Sequence, residues 1–93
     1  HRIPSIRELC LVAHVSERTL REAFVREYDL PPSQYFRLWA LEEARRQLIR
    51  NQQNPGTVTE IATGLGFDHL GRFASRYKQL YGETPSETLD AAN

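Results

Sequence analysis

TVTEIATGLGFDHLGRFASRYKQLYGETPS, residues 57–86, is the stretch on which the fold turns. Thr57-Val58-Thr59-Glu60 has the form of a capping box, in which a hydroxyl takes the N3 amide and the glutamate reaches back. It predicts a helix to about Gly64. A second helix is predicted from Asp68 or His69 to a stop at Gly82. Between them stand a small residue (Ala62), a glycine that tolerates positive φ (Gly66), an apolar plug (Phe67) and a cap (Asp68 or His69). Two helices that meet at a steep angle through a short turn need those properties in that order. A further capping box, Thr84-Pro85-Ser86-Glu87, carries proline in its first turn and predicts a short helix to about Ala91.

The same unit occurs twice. A shift of 52 residues carries Ser5, Ile6 and Glu8 onto Thr57, Val58 and Glu60, Leu9-Cys10 onto Ile61-Ala62, His14 onto Gly66 and Val15 onto Phe67. One extra residue enters at the turn. From there a shift of 53 carries Leu20 onto Phe73, Phe24 onto Tyr77, and the run Tyr28 to Ser33 onto Tyr81 to Ser86. One such unit is a weak signal, because many helical hairpins look like it. Two in register are a strong one. Two copies also exclude a solenoid, which needs three or more.

Around these copies the apolar residues recur at three and four, and no alternating strand pattern of useful length appears. Ser5 caps a helix to about Ala13, and Ser16 caps one to about Tyr28. Asp29-Leu30-Pro31-Pro32 breaks the chain, and Pro32 suits the first turn of a long helix to about Arg50. The expected fold is all-α: two helix-turn-helix subdomains joined by a long connecting helix, a homeodomain-like bundle repeated. Residues 1–31 form the first unit, 32–50 the connecting helix, 51–56 a loop, and 57–93 the second unit with its C-terminal helix.

Composition narrows the function. No apolar run approaches the roughly 18 residues of a membrane span. The single cysteine, Cys10, excludes a disulfide framework and a multi-cysteine metal site, and fits a reducing cytoplasm. Cys10 matches Ala62, so a buried inert thiol is expected. His1, His14 and His69 have no metal-ligand spacing. No phosphate loop or nucleophile–base pair is present, so neither catalytic nor cofactor-binding residues are expected. Twelve basic and twelve acidic residues cancel, whereas DNA binders usually carry a basic excess. Eleven of the twelve cations are arginine, the side chain suited to phosphate and guanine.

In a helix-turn-helix unit the second helix enters the major groove. At 100° per residue, Leu20, Ala23 and Phe24 share the inner face of the first such helix. Arg18, Glu22 and Val25 point outward, flanked by Arg21 and Arg26. In the second, Phe73, Tyr77 and Leu80 point inward. Gly71, Ser75 and Lys78 point outward, flanked by Arg72 and Ala74. Small residues at 71, 74 and 75 let the backbone approach bases and leave Arg72 as the long reader. Glu22 either accepts from a cytosine amino group or holds Arg18 or Arg26; the second is favoured. Arg76 and Lys78 suit phosphate better than bases, and His69 is either a phosphate contact or a cap. Trp39 reads as core packing between the halves. The competing class is a helical protein-interaction module that meets the transcription machinery without reading DNA. It suits the neutral charge but not two arginine-bearing faces placed by a repeat.

Ile61-Ala62-Thr63-Gly64-Leu65-Gly66-Phe67, then Phe73, Tyr77-Lys78 and Tyr81-Gly82-Glu83-Thr84-Pro85-Ser86, resembles the C-terminal signature of AraC-type (arabinose-regulator-like) transcription regulators. Ser16, Leu20, Phe24, Pro32, Tyr35, Leu41 and Ala44 are similar to that family's first unit. The likeness runs from Ser5 to Leu89. It implies sequence-specific binding of double-stranded DNA by two recognition helices in adjacent major-groove segments. It also implies a separate effector-binding domain in the full-length protein and contact with RNA polymerase. Carried over by position, the base readers are Arg18, Arg21 and Glu22 in the first unit, and lie among Leu70, Gly71, Arg72 and Ser75 in the second. The family usually has glycine where Asp29 stands, arginine where Ala40 stands and a polar cap where Pro31 stands. It also has a helix before the first unit, which is missing here, so the chain reads as a fragment of a longer regulator.

Overall fold

The computed structural model describes residues 5–51 and 57–91 of the chain. The described residues hold six helices: α1 (Ile6–Ala13), α2 (Glu17–Tyr28), α3 (Pro32–Arg50), α4 (Thr57–Gly64), α5 (Leu70–Tyr81) and α6 (Pro85–Asp90). No strand occurs among them. All six lie where spacing and caps predict. Packing divides the chain into two bodies, one ending at Trp39 and one beginning at Ala40, so that α3 contributes to both. The predicted loop 51–56 lies outside the described residues except for Asn51, whose Nδ2 donates to the Gln47 carbonyl at 2.7 Å.

The repeat is visible in backbone hydrogen bonds. At the first turn the Val15 amide donates to the Cys10 carbonyl at 3.1 Å; at the second, Phe67 donates to Ala62 at 3.0 Å. The amide of Leu20 donates to Ser16, as that of Phe73 does to His69. Helix α2 stops where Asp29 donates to Val25 at 2.9 Å, and α5 where Gly82 donates to Lys78 at 2.8 Å. Even the start of α3 and the start of α6 correspond, through Tyr35 to Pro31 and Thr88 to Thr84. Both turns and both stops use the left-handed region. Gly66 (φ 95°) and Gly82 (φ 77°) enter it without a Cβ penalty, while His14 (φ 57°) and Asp29 (φ 58°) carry one. Asp29 thus builds the same stop as Gly82.

Three of the six helix starts follow the hydroxyl rule. Ser5, Ser16 and Thr84 each accept from the amide three residues on, at 3.1 Å. At Thr84 the reciprocal bond from its amide to Glu87 closes the box at 2.9 Å. Thr57 does not act as the cap: it is the first residue of α4, and its Oγ1 is buried without a hydrogen-bond partner among the described residues. His69 occupies the N-cap of α5 but makes no side-chain cap bond.

The two bodies differ in how well they are sealed. In the second, Leu41, Ala44, Leu48, Ile61, Ala62, Leu65, Phe73, Tyr77 and Leu89 form one buried cluster, with Val58, Phe67 and Tyr81 against it. Rings run through it in sequence: Phe67 to Phe73 at 4.7 Å, Phe73 to Tyr77 at 6.0 Å and Tyr77 to Tyr81 at 4.7 Å between centroids. In the first body, neither α1 nor α2 buries a residue fully. Its centre is an aromatic group of Phe24, Tyr28, Tyr35 and Phe36, with centroids 4.6–5.6 Å apart. Leu11 is 69% and Val12 80% exposed. Cys10 is half-buried rather than enclosed, because the helix that carries it is covered on one side only. Trp39, expected in the core, is 38% exposed; a side chain of that size is rarely enclosed completely.

Candidate nucleic-acid interface

Helix α2 presents the face its spacing predicts. Leu20, Ala23 and Phe24 are its only half-buried residues, and Arg18, Arg21, Glu22, Val25 and Arg26 are exposed. Arg18 Nε donates to Glu22 Oε1 at 3.0 Å, the contact that the favoured reading of Glu22 requires. Both side chains are largely in solvent, so the pair adds only a few tenths of a kcal/mol to the helix. It biases the guanidinium toward Glu22 without holding it there.

Helix α5 is built differently. It carries Arg72, Arg76 and Lys78 and no carboxylate, whereas α2 carries three arginines and three glutamates. The Gly71, Arg72, Ser75 and Lys78 positions are exposed, as is Leu70 at its first position; Arg76 is half-buried. Arg72 makes no ion pair among the described residues. His69 precedes them, exposed and not spent on capping. Two expectations for this helix fail. Leu80, predicted inward, is 47% exposed, and Ala74, predicted as an outward flank, is half-buried. The large rings of Tyr77 and Tyr81 fill the inner face near the helix end, leaving Leu80 to border a shallow groove with Ile49, Arg45 and Tyr81. Near the other end of α5, Ala74 lines a cleft where three helix starts meet: Val58 and Thr59 of α4, Leu70 and Gly71 of α5, and Thr84, Pro85 and Ser86 at α6.

Spacing alone did not reveal the side chains that hold α5. Arg45 on α3 donates to Tyr77 Oη at 3.3 Å, pairs with Glu83 at 3.8 Å, and lies over the Tyr81 ring at 4.8 Å. Tyr77 Oη lies 2.7 Å from Thr88 Oγ1, and the Thr88 hydroxyl donates to Glu83. Burial, with the charge of Glu42 behind it, pushes the Tyr81 phenol above its ordinary range. Glu43 gathers Arg46 at 3.0 Å and Arg50 at 3.4 Å, and the Arg46 bond above all holds its carboxyl below the usual range. These cations are therefore engaged within the fold. The only sequence signal for the ring around Tyr77 was the repeat, which sets Tyr77 against Phe24.

No group of three His, Cys, Asp or Glu residues that could hold a metal ion occurs among the described residues. No helix among them is long and apolar enough to cross a membrane.

Comparison with known proteins agrees with this geometry. The family model described as a helix-turn-helix domain matches residues 9–91. The XylDLEGF operon transcriptional activator of Pseudomonas putida is 40% identical over 85 residues, which cover 91% of this chain and 26% of that protein. The probable thc operon regulatory protein of Rhodococcus erythropolis is 40% identical over 75 residues, 81% of this chain and 23% of that protein. The chain thus spans about a quarter of the length of these two relatives. The crystal structure of a probable AraC family transcriptional regulator from Rhodopseudomonas palustris CGA009 is similar with a TM-score of 0.84 and 35% identity, covering 99% of this chain and 84% of that one.

Proposed function

We propose, from the premise that this chain belongs to the AraC family of helix-turn-helix transcription regulators, that it reads double-stranded DNA with two helices of unequal weight. That family is one of DNA-binding regulators, not of enzymes. In the proposed arrangement α2 and α5 enter successive major-groove segments of one site. A helix of 12 residues is about 18 Å long, and a groove about 12 Å wide admits it end-on or obliquely.

The observation that carries this reading is the outward face of α5: cations without carboxylates, set among small residues. Gly71 and Ser75 let the backbone approach base edges. Arg72, with no ion pair among the described residues, is then the base reader. Lys78, Arg76 and His69 serve phosphates, as do backbone amides at the helix starts around the cleft lined by Thr59, Gly71 and Ser86. In the first unit Arg18 and Arg21 read bases, with Glu22 steadying Arg18 and Arg26 near phosphate. The relatives' greater length supports an effector-binding domain elsewhere in the full-length protein. Contact with RNA polymerase and a cytoplasmic site of action complete the proposal.

Arg72→Ala tests it. In titrations at one fixed salt concentration, the variant should lose about 1–3 kcal/mol on its selected site and much less on random duplex. Equal losses on both would make Arg72 a phosphate contact and overturn its assignment.

A further inference from the structure

Four side chains of the second body form a polar ring, a one-way chain of three hydrogen bonds whose two charged ends face each other. Arg45 Nη1 donates to Tyr77 Oη at 3.3 Å. Tyr77 Oη and Thr88 Oγ1 lie 2.7 Å apart. The Thr88 hydroxyl donates to Glu83 Oε2, and that carboxylate faces Arg45 Nη1 at 3.8 Å. Because the Thr88 proton goes to Glu83, the Tyr77 hydroxyl must donate to Thr88 and accept from Arg45. The three hydrogen bonds then point the same way, from cation through two hydroxyls to anion, and the ion pair closes the ring. Tyr77 is fully buried and Thr88 is 2% exposed, so an unmade bond here leaves a polar group stranded away from water.

The repeat shows what this ring replaces. The residues equivalent to Tyr77 and Thr88 are Phe24 and Tyr35, and they meet as two rings with centroids 5.5 Å apart. Aromatic contacts tolerate sliding over a broad range of offsets. A chain of hydrogen bonds does not, since each bond weakens steeply away from its distance and angle. The ring ties α5 to α3, to α6 and to the turn that carries Glu83. A helix with side chains is about 10–12 Å across, so turning it by roughly 20° moves a side-chain tip by about 2 Å. That is enough to break a bidentate contact with a base.

We infer that Arg45, Tyr77, Thr88 and Glu83 are positioning residues that fix the rotation of α5 about its own axis, and so set the aim of Arg72 and Ser75 at base edges. This rests on α5 being a DNA-reading helix. Through these residues the second unit gains sequence discrimination rather than general affinity for DNA.

The experiment measures the ratio of affinities for a duplex enriched from a random pool and for random duplex, at fixed salt. It uses Tyr77→Phe, Thr88→Val, Thr88→Ser, the double variant Y77F/T88V, Arg72→Ala and Ser75→Ala. Tyr77→Phe and Thr88→Val should each lower the ratio about fivefold, the scale of one buried hydrogen bond, with random-duplex binding nearly unchanged. Thr88→Ser keeps the hydroxyl and should keep the ratio. The double variant should lose little more than either single one, because both break the same chain. An unchanged ratio in Tyr77→Phe, or an equal fall in Thr88→Ser and Thr88→Val, would reduce the ring to packing and overturn the inference. Tyr77→Phe keeps every ring carbon, so it decides alone if Thr88→Val does not fold. If Arg72→Ala collapses the ratio while Tyr77→Phe does not, only the positioning role falls. If neither Arg72→Ala nor Ser75→Ala lowers the ratio, α5 is not a reader and both fall together.

Discussion

Asp29 and Gly82 end equivalent helices with the same backbone bond and the same left-handed turn, yet almost everything around them differs. The body from Ala40 onward encloses nine side chains in one cluster and closes its turns with glycine. The body up to Trp39 closes the same turns with His14 and Asp29, and leaves Leu11 and Val12 in solvent. Charge follows the same division. Helix α5 carries three cations and no anion, while α2 carries three of each. The neutral charge of the whole chain thus conceals a basic helix, α5, whose cations are offset by acids outside it such as Glu60, Asp68, Glu83, Glu87 and Asp90. Backbone geometry is what the repeat preserves; burial, turn chemistry and charge are free to diverge once each unit has its own partners.

Core truncation should break this comparison most visibly. Leu48→Ala removes a fully buried side chain and should cost about 2–5 kcal/mol in urea unfolding. Leu20→Ala, on a half-covered face, should cost less than about half of that. Equal costs would mean the first body is as well sealed as the second.

DNA discrimination should come next. Arg72→Ala is expected to lose about 1–3 kcal/mol of preference for the selected site. Arg18→Ala should lose less, because in the free chain its guanidinium is already committed to Glu22. A larger loss at Arg18, measured on the same duplexes, would reverse the ranking of the units.

The turns give a smaller and opposite-signed pair. His14→Gly should leave stability unchanged or raise it by up to about 1 kcal/mol, as relief of the left-handed strain outweighs the entropy of glycine. Gly66→Ala should cost about 1 kcal/mol. There is open space for the added Cβ at Gly66, so thermal melting reads backbone strain alone.

The smallest effect concerns pH. The Thr84 amide and hydroxyl hold the Glu87 carboxyl below its ordinary value. A depressed carboxyl contributes stability that is complete above the unfolded value of about 4.3 and is lost as pH falls through the lowered one. Glu87→Gln should therefore flatten the acid side of the stability profile and leave neutral pH nearly unchanged. An identical slope in the variant would exclude the capping box as its source.

Local rules made the helices legible. Ser5, Ser16, Thr84, Pro32, Gly82 and the two turns act on neighbours three to five residues away, which sequence displays directly. The inner face of α2 was legible for the same reason. Leu80, Ala74 and Trp39 were not, because a helical wheel gives direction but not what stands opposite. The ring of Arg45, Tyr77, Thr88 and Glu83 was hidden more deeply. Arg45 and Tyr77 are 32 positions apart, and nothing in either helix alone announces the pairing. Thr57 shows the reverse error: a sequence that fits a capping box, on a residue that is itself the first of the helix.

The most direct test of two unequal reading units is selection of bound duplexes from a random pool with this chain, followed by the same selection with Arg72→Ala. The account predicts two blocks of preferred bases about one helical turn apart, one of them sharper, and loss of the sharper block alone in the variant. A single block, no enrichment, or loss of the weaker block in the variant would contradict it.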